Sequence, residues 1–187
     1  MKKLITLIGI SSVLVFALSG CGSTQPAATS SAEASAEQAG MANPWSDVAS
    51  AEEAAASAGL GGFVVPLGSE ISLGALDPEH TSFRAMKSLA EANVEFPAVS
   101  MTIRKGAADA PAEDGDISGD YRDCSLTWTQ DIGGIEVNCS GNREDAAMKT
   151  TWTNGGALYS ITVMGLGGDT DYGLSADDLA VIVPNVM

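Results

Sequence analysis

Residues 147–164 read Ala-Met-Lys-Thr-Thr-Trp-Thr-Asn-Gly-Gly-Ala-Leu-Tyr-Ser-Ile-Thr-Val-Met, two runs rich in branched and aromatic residues on either side of Asn154-Gly155-Gly156. A tight hairpin turn needs residues that enter the left-handed backbone region cheaply, and Asn and Gly supply them. The stretch therefore predicts two antiparallel strands, Ala147 to Thr153 and Ala157 to Met164. Immediately upstream the pattern repeats, with Arg122 to Thr129 and Ile135 to Ser140 flanking Asp131-Ile132-Gly133-Gly134. Further back, Phe63 to Leu67, Ser82 to Met86, Leu89 to Phe96 and Val99 to Arg104 are short segments of strand type set apart by Gly, Pro or polar residues. Residues 106–120, rich in Asp, Gly, Ala and Pro, read as a loop.

Helices are expected at the two ends of this region. Ser50 precedes an Ala/Glu run with Glu53 three residues on, and Gly59 stands where a left-handed residue ends a helix, so residues 51–58 form a short one. Its apolar stripe of Val48, Ala51, Ala55 and Ala58 is shallow, so packing must stabilise it. A second helix fits Ala176 to Val183, with Ser175 as cap, Asp178 three residues later and Pro184 closing it. Helix, hairpins and helix together predict an α+β domain: a single twisted antiparallel sheet with one or two short helices packed on it.

The amino-terminal part has another character. Met1-Lys2-Lys3 is followed by Leu4 to Leu18 without a charge, and then by Ser19, Gly20 and Cys21. This is the layout of a secretory signal. As a helix the apolar run rises only about 22 Å, short of the roughly 30 Å hydrocarbon core, so it does not span a bilayer. Leu18-Ser19-Gly20-Cys21 resembles the lipobox of bacterial lipoproteins. The resemblance implies cleavage between Gly20 and Cys21 and acylation of the Cys21 thiol, with diacylglyceryl and palmitate-type chains facing a membrane outside the cytoplasm. Two acyl chains hold a protein on a bilayer where one does not. Residues 21–42, mostly Ser, Ala, Thr, Glu, Gln and Gly, read as a disordered tether spanning on the order of 25 Å. One globular domain, 43–187, follows.

The formal net charge is −15, and removing residues 1–20 takes away two lysines and no acid. Such a body repels nucleic acid and anionic headgroups, so lipid must supply the membrane attachment. Cys124 and Cys139 lie on opposite arms of the first hairpin. They face each other if Gln130 pairs with Gly133, whereas Cys124 faces position 141 if Gln130 pairs with Ile135. In an exported chain two thiols this close are expected to form a disulfide.

The usual catalytic constellations are poorly represented. His80 is the only histidine and sits in the turn-like Asp77-Pro78-Glu79-His80, and no serine lies in a G-x-S-x-G elbow. Asp114, Asp116, Ser118, Gly119 and Asp120 copy the early spacing of a calcium loop, but Ser125 stands where a bidentate Glu should be, leaving a weak Ca²⁺ candidate at most. Asp169 with Asp171, and Asp177 with Asp178, are paired acids without a third partner. Gly165-Leu166-Gly167-Gly168 lacks the lysine of a phosphate-cradling loop. Trp45, Trp128 and Trp152 serve either a core or a ligand groove. No cofactor is expected.

Asn43-Pro44-Trp45, Glu52-Glu53-Ala54, Ala58-Gly59-Leu60, Leu89-Ala90-Glu91, Ile103-Arg104-Lys105 and Asp116-Ile117-Ser118-Gly119-Asp120-Tyr121 occur in that order. Trp152 ahead of Asn154-Gly155-Gly156, then Tyr159-Ser160-Ile161, Leu174-Ser175 and Asp178-Leu179, continue it to the end. The series resembles an uncharacterised family of extracytoplasmic domains found on bacterial lipoproteins and on single-span membrane proteins, some like anti-sigma regulators. The resemblance implies an α+β sheet domain without established chemistry, and Cys124 with Cys139 is outside its pattern. The function expected is a non-enzymatic, lipid-anchored module that binds an envelope protein, a peptide or a wall component. The alternative is a carboxylate-dependent hydrolase of envelope polymers.

Overall fold

A computed structural model describes residues 43–66, 71, 73–112, 114–169 and 171–186. The signal segment, Gly20, Cys21 and the tether to Ala42 lie outside the described residues. Eight strands form one antiparallel sheet: β1 (Ser46–Val48), β2 (Asp77–Met86), β3 (Leu89–Phe96), β4 (Val99–Ala107), β5 (Leu126–Ile132), β6 (Ile135–Gly141), β7 (Lys149–Asn154) and β8 (Ala157–Gly165). Their order across the sheet is β1-β2-β3-β4-β8-β7-β6-β5. Helix α1 (Ala51–Ser57) follows β1, and α2 (Ala176–Asn185) ends the described chain. The α+β expectation therefore holds, and among the described residues no helix is long and apolar enough to cross a membrane.

Because successive residues of a strand point to opposite faces, two adjacent rows of paired residues show what each face is made of. One row runs Phe83, Ala92, Ile103, Ile161, Thr150, Cys139, Trp128. It joins a single apolar core with Phe96, Met101 and Val163 of the sheet, Ala54 and Ala55 of α1, and Leu179, Ile182 and Val183 of α2. The neighbouring row runs Arg84, Glu91, Arg104, Ser160, Thr151, Asn138, Thr129. The helices thus cover one face, and on the other this row is polar from edge to edge.

Local chemistry fixes the ends of the elements. The Ser50 hydroxyl caps α1 by accepting from Glu53 N, and Leu60 N donates back to Ala55 O beyond Gly59 at φ +74°, a Schellman ending. Ser175 and Asp178 form a reciprocal capping box on α2. That helix runs through Pro184 rather than stopping before it, since in the last turn the missing N–H forfeits a single bond. Residues 63–66 are not a strand, although Phe63 is buried in the core, and Leu67 lies outside the described residues. The short β1 carries no comparable pattern in the sequence.

The first hairpin corrects both registers considered for the cysteines. Gly133 and Gly134 have φ of +63° and +88° and close a two-residue turn that pairs Ile132 with Ile135. Gln130 then faces Val137, and Cys139 faces Trp128. Cys124 lies ahead of β5, outside the ladder, and both cysteines are free thiols. Burial pushes the Cys139 thiol up to about 11, which makes it a poor nucleophile. The expected Cys124–Cys139 bridge is therefore not what this register brings together.

Candidate functional site

Three segments meet on the polar face. Asn43 accepts a hydrogen bond from Trp45 N through its side chain and turns the chain into β1, which places the indole beside the outer residues of β2 and β4. The Arg84 guanidinium lies 4.4 Å from the Trp45 ring centre and that of Arg104 5.5 Å. Residues 108–112 and 114–125, between β4 and β5, run back across the face as a strap. Leu89, Ala110 and Ile117 form a small buried cluster beneath it, flanked by Trp45, Met86 and Leu158.

The centre of the arrangement is Glu91, a carboxylate with no solvent exposure. Its Oε1 accepts from Arg84 Nε and Asn93 Nδ2, and its Oε2 accepts from Arg104 Nε at 2.7 Å. Thr102 Oγ1 steadies Asn93 by donating to its Oδ1 at 2.8 Å. Burial pushes the Glu91 carboxyl up, but the hydrogen bonds from Arg84, Asn93 and Arg104 and the Arg104 charge outweigh that, and it sits below the usual carboxylate range. Glu91 is thereby held charged, with a guanidinium on each side.

The strap is pinned by charge more than by apolar packing. Arg104 Nη1 donates to Ile117 O at 2.8 Å. Lys149 Nζ donates to Asp116 Oδ2 at 2.9 Å and to Asp120 O at 3.3 Å. Arg122 Nη2 bonds both Asp120 Oδ2 at 2.6 Å and Val163 O at 2.8 Å, which ties the strap to β8. Gly119, at φ +63°, lies so close over Arg104 that a Cβ there would collide with Nη1. Any other residue there would have to take a disfavoured positive φ and displace the Arg104 guanidinium.

Between Trp45 and the strap lies an open groove of about 860 Å³, lined among others by Arg104, Asp114, Asp116, Tyr121 and Lys149. Tyr121 is 87 % exposed at the groove. For both Asp116 and Asp120, burial pushes the carboxyl up and is outweighed, by hydrogen bonds from Ser118 and Lys149 in one case and from Arg122 in the other. Both end below the usual range.

The sequence-derived candidates separate accordingly. Asp114, Asp116, Ser118 and Asp120, the calcium-loop candidates, all line the groove. Asp116 accepts from Ser118 N and pairs with Lys149, and Asp120 pairs with Arg122, so protein cations already balance the charge of both carboxylates. Among the described residues no group of three or more His, Cys, Asp or Glu converges on a metal position. His80 is exposed at the start of β2, with Nδ1 2.8 Å from Asp77 Oδ2. Asp171 accepts from Asn142, and Asp178 is the box partner of Ser175. Trp152 is core, stacked on Tyr159 at 5.2 Å, and Trp128 packs against that core, which leaves Trp45 as the tryptophan of the groove.

Arg84, Glu91, Arg104 and Lys149 were not singled out by chemistry-bearing motifs, though a signal existed. Two-residue turns at 87–88 and 97–98 oblige Arg84 to face Glu91 and Glu91 to face Arg104. Comparison with protein-family models, curated proteins and solved structures finds no match to this chain.

Proposed function

We propose that the protein is a non-enzymatic binding or regulatory module, anchored by lipid at Cys21 outside the cytoplasm, that holds its ligand in the groove between Trp45 and the strap. The observation that carries this reading is the groove's lining: an exposed tyrosine, a half-buried tryptophan and charged groups locked in mutual pairs on an otherwise polar sheet face. Preformed concave sites with a few oriented polar groups suit recognition. Glycoside hydrolysis by paired carboxyls needs instead one carboxylic acid whose pKa is raised so that it can give up a proton. Asp116 and Asp120 are shifted the opposite way, which favours holding over turnover.

The ligand class is an envelope protein, a peptide or a wall component, and the acidic chain disfavours nucleic acid. The strands carry the twist usual for antiparallel sheets. Mass spectrometry of the native protein tests the address: an acylated Cys21 is expected, and any other amino terminus overturns it. Titration of wall fragments and envelope peptides against tryptophan fluorescence tests the groove, with a response expected in the native chain and lost in Trp45→Phe. Turnover of those fragments that disappears in Asp116→Asn or Asp120→Asn transfers the assignment to an envelope hydrolase.

A further inference from the structure

Beside the groove, sharing Arg104 and residues 118–120 and 122 with it, lies a smaller hollow of about 250 Å³ over β2, β3, β4 and β8. Three guanidinium groups, those of Arg84, Arg104 and Arg122, meet only two carboxylates there, Glu91 and Asp120. The carboxylate oxygens are all occupied. Both oxygens of Glu91 accept as described above, Asp120 Oδ1 takes Arg122 N and Nε, and Asp120 Oδ2 takes Arg122 Nε and Nη2.

The donors are not used up. Among the described residues, no group accepts from the terminal amino groups of Arg84, from Nη1 of Arg122, or from the hydroxyls of Ser100 and Thr162, which line the same hollow. Arg84 and Arg122 are 35 % and 30 % exposed, so these donors reach water, while Glu91 and Asp120 fix the planes of the guanidinium groups. A local surplus of positive charge in a chain of net charge −15 is also out of keeping with its surroundings. Donors in excess over acceptors that already have partners, held by those pairs and open to solvent, are the complement of an oxyanion.

We infer that this hollow is a subsite for one oxyanion group, a carboxylate or phosphoryl, carried by the ligand. The inference deepens the binding reading above, which supplies the ligand but not the geometry of the subsite. A whole sugar or side chain belongs in the larger groove, and the anionic group enters between Arg84 and Arg122.

The test titrates the full chain, in detergent where acylated, with inorganic phosphate and separately with acetate, at an ionic strength held constant with chloride. Arginine Nε–H resonances are followed. Saturable shifts are expected at Arg84 and Arg122 and none at Arg143, which is exposed and outside the hollow. Arg122→Gln should weaken binding about tenfold or more, through loss of a charge-assisted donor. Should that variant loosen the strap, Ser100→Ala with Thr162→Val leaves every charge in place and should weaken binding about two- to fivefold. A preference for phosphate identifies a phosphoryl ligand, and a preference for acetate a carboxylate. Non-saturating shifts, shifts of equal size at Arg143, or affinities unchanged in both variants overturn the inference. If wall fragments or peptides still quench Trp45 while neither anion binds, the subsite is rejected and the groove stands. Anion binding without any fragment or peptide response supports the subsite and rejects the ligand class.

Discussion

The two faces of the sheet are built from the same strands, one residue out of step, and they are held by different physics. On the helix side Phe96, Met101, Ile103 and Ile161 are buried against α1 and α2, and the stabilisation is burial of apolar surface, which has no preferred direction. On the strap side Arg84, Glu91, Arg104, Asp116, Asp120, Arg122 and Lys149 are joined by oriented hydrogen bonds over a thin apolar cluster. Buried ion pairs return little net stability, because desolvation offsets most of their attraction, but they fix where each group points. The apolar face keeps the protein folded, and the charged face keeps a few donors aimed at one place.

The largest expected effect breaks the apolar face. Phe96→Ala should cost about 3–5 kcal/mol, read from denaturant unfolding, with the variant's groove otherwise intact. Next, Glu91→Gln leaves two guanidinium groups without their shared anion. Because Arg84 is partly solvated, the cost should be about 2–4 kcal/mol, below that of a fully buried pair. The sharper comparison is Glu91→Leu together with Arg104→Leu, expected to unfold later than Glu91→Gln while losing the Trp45 response to ligand. A double variant no more stable than the single one would make the charged face a stabilising element after all. Gly119→Ala comes third, at about 1–3 kcal/mol, since the new methyl meets both the positive φ and Arg104.

The smallest effect at neutral pH is one of slope. Glu91, Asp116 and Asp120 all have carboxyls lower in the folded chain than the ordinary values of 4.5 and 3.8. Their contribution is therefore complete above those ordinary values and is lost as pH falls through the folded ones. The unfolding midpoint should stay level down to about pH 5 and then drop. Asp120→Asn should flatten that drop, whereas Phe96→Ala should lower the whole curve without changing its shape.

How far the sequence alone reaches differs between the faces. Leu89–Phe96 and the start of β4 at Val99 are readable from branched and aromatic content and short turns, and α2 from its capping box, because those signals act within a few residues. Counting Asp131 and Ile132 into the loop misplaces the hairpin register around Cys139, because the two positive-φ glycines suffice for the turn. The calcium-like spacing at 114–120 located the strap correctly but not its chemistry, since its counter-ions, Lys149 and Arg122, come from a distant strand and from beyond the motif. Glu91 looks like a stray acid in an apolar strand until two neighbouring turns are counted. The turn read at Asp77-Pro78-Glu79-His80 is instead the first part of β2, where His80 stands exposed beside Asp77.

β1 to β4 pair in sequence, β8 to β5 pair in sequence, and the two four-stranded meanders join along β4 and β8, from Val99 with Gly165 to Ala107 with Ala157. Trp45, Arg84 and Arg104 belong to the first meander, Lys149 and Thr162 to the second, and the strap is the thread between them. Neither half alone lines the groove. A ligand held in the proposed groove would span the junction, so its occupancy would be linked to the cohesion of the halves, and the melting temperature should rise by an amount that grows with ligand concentration.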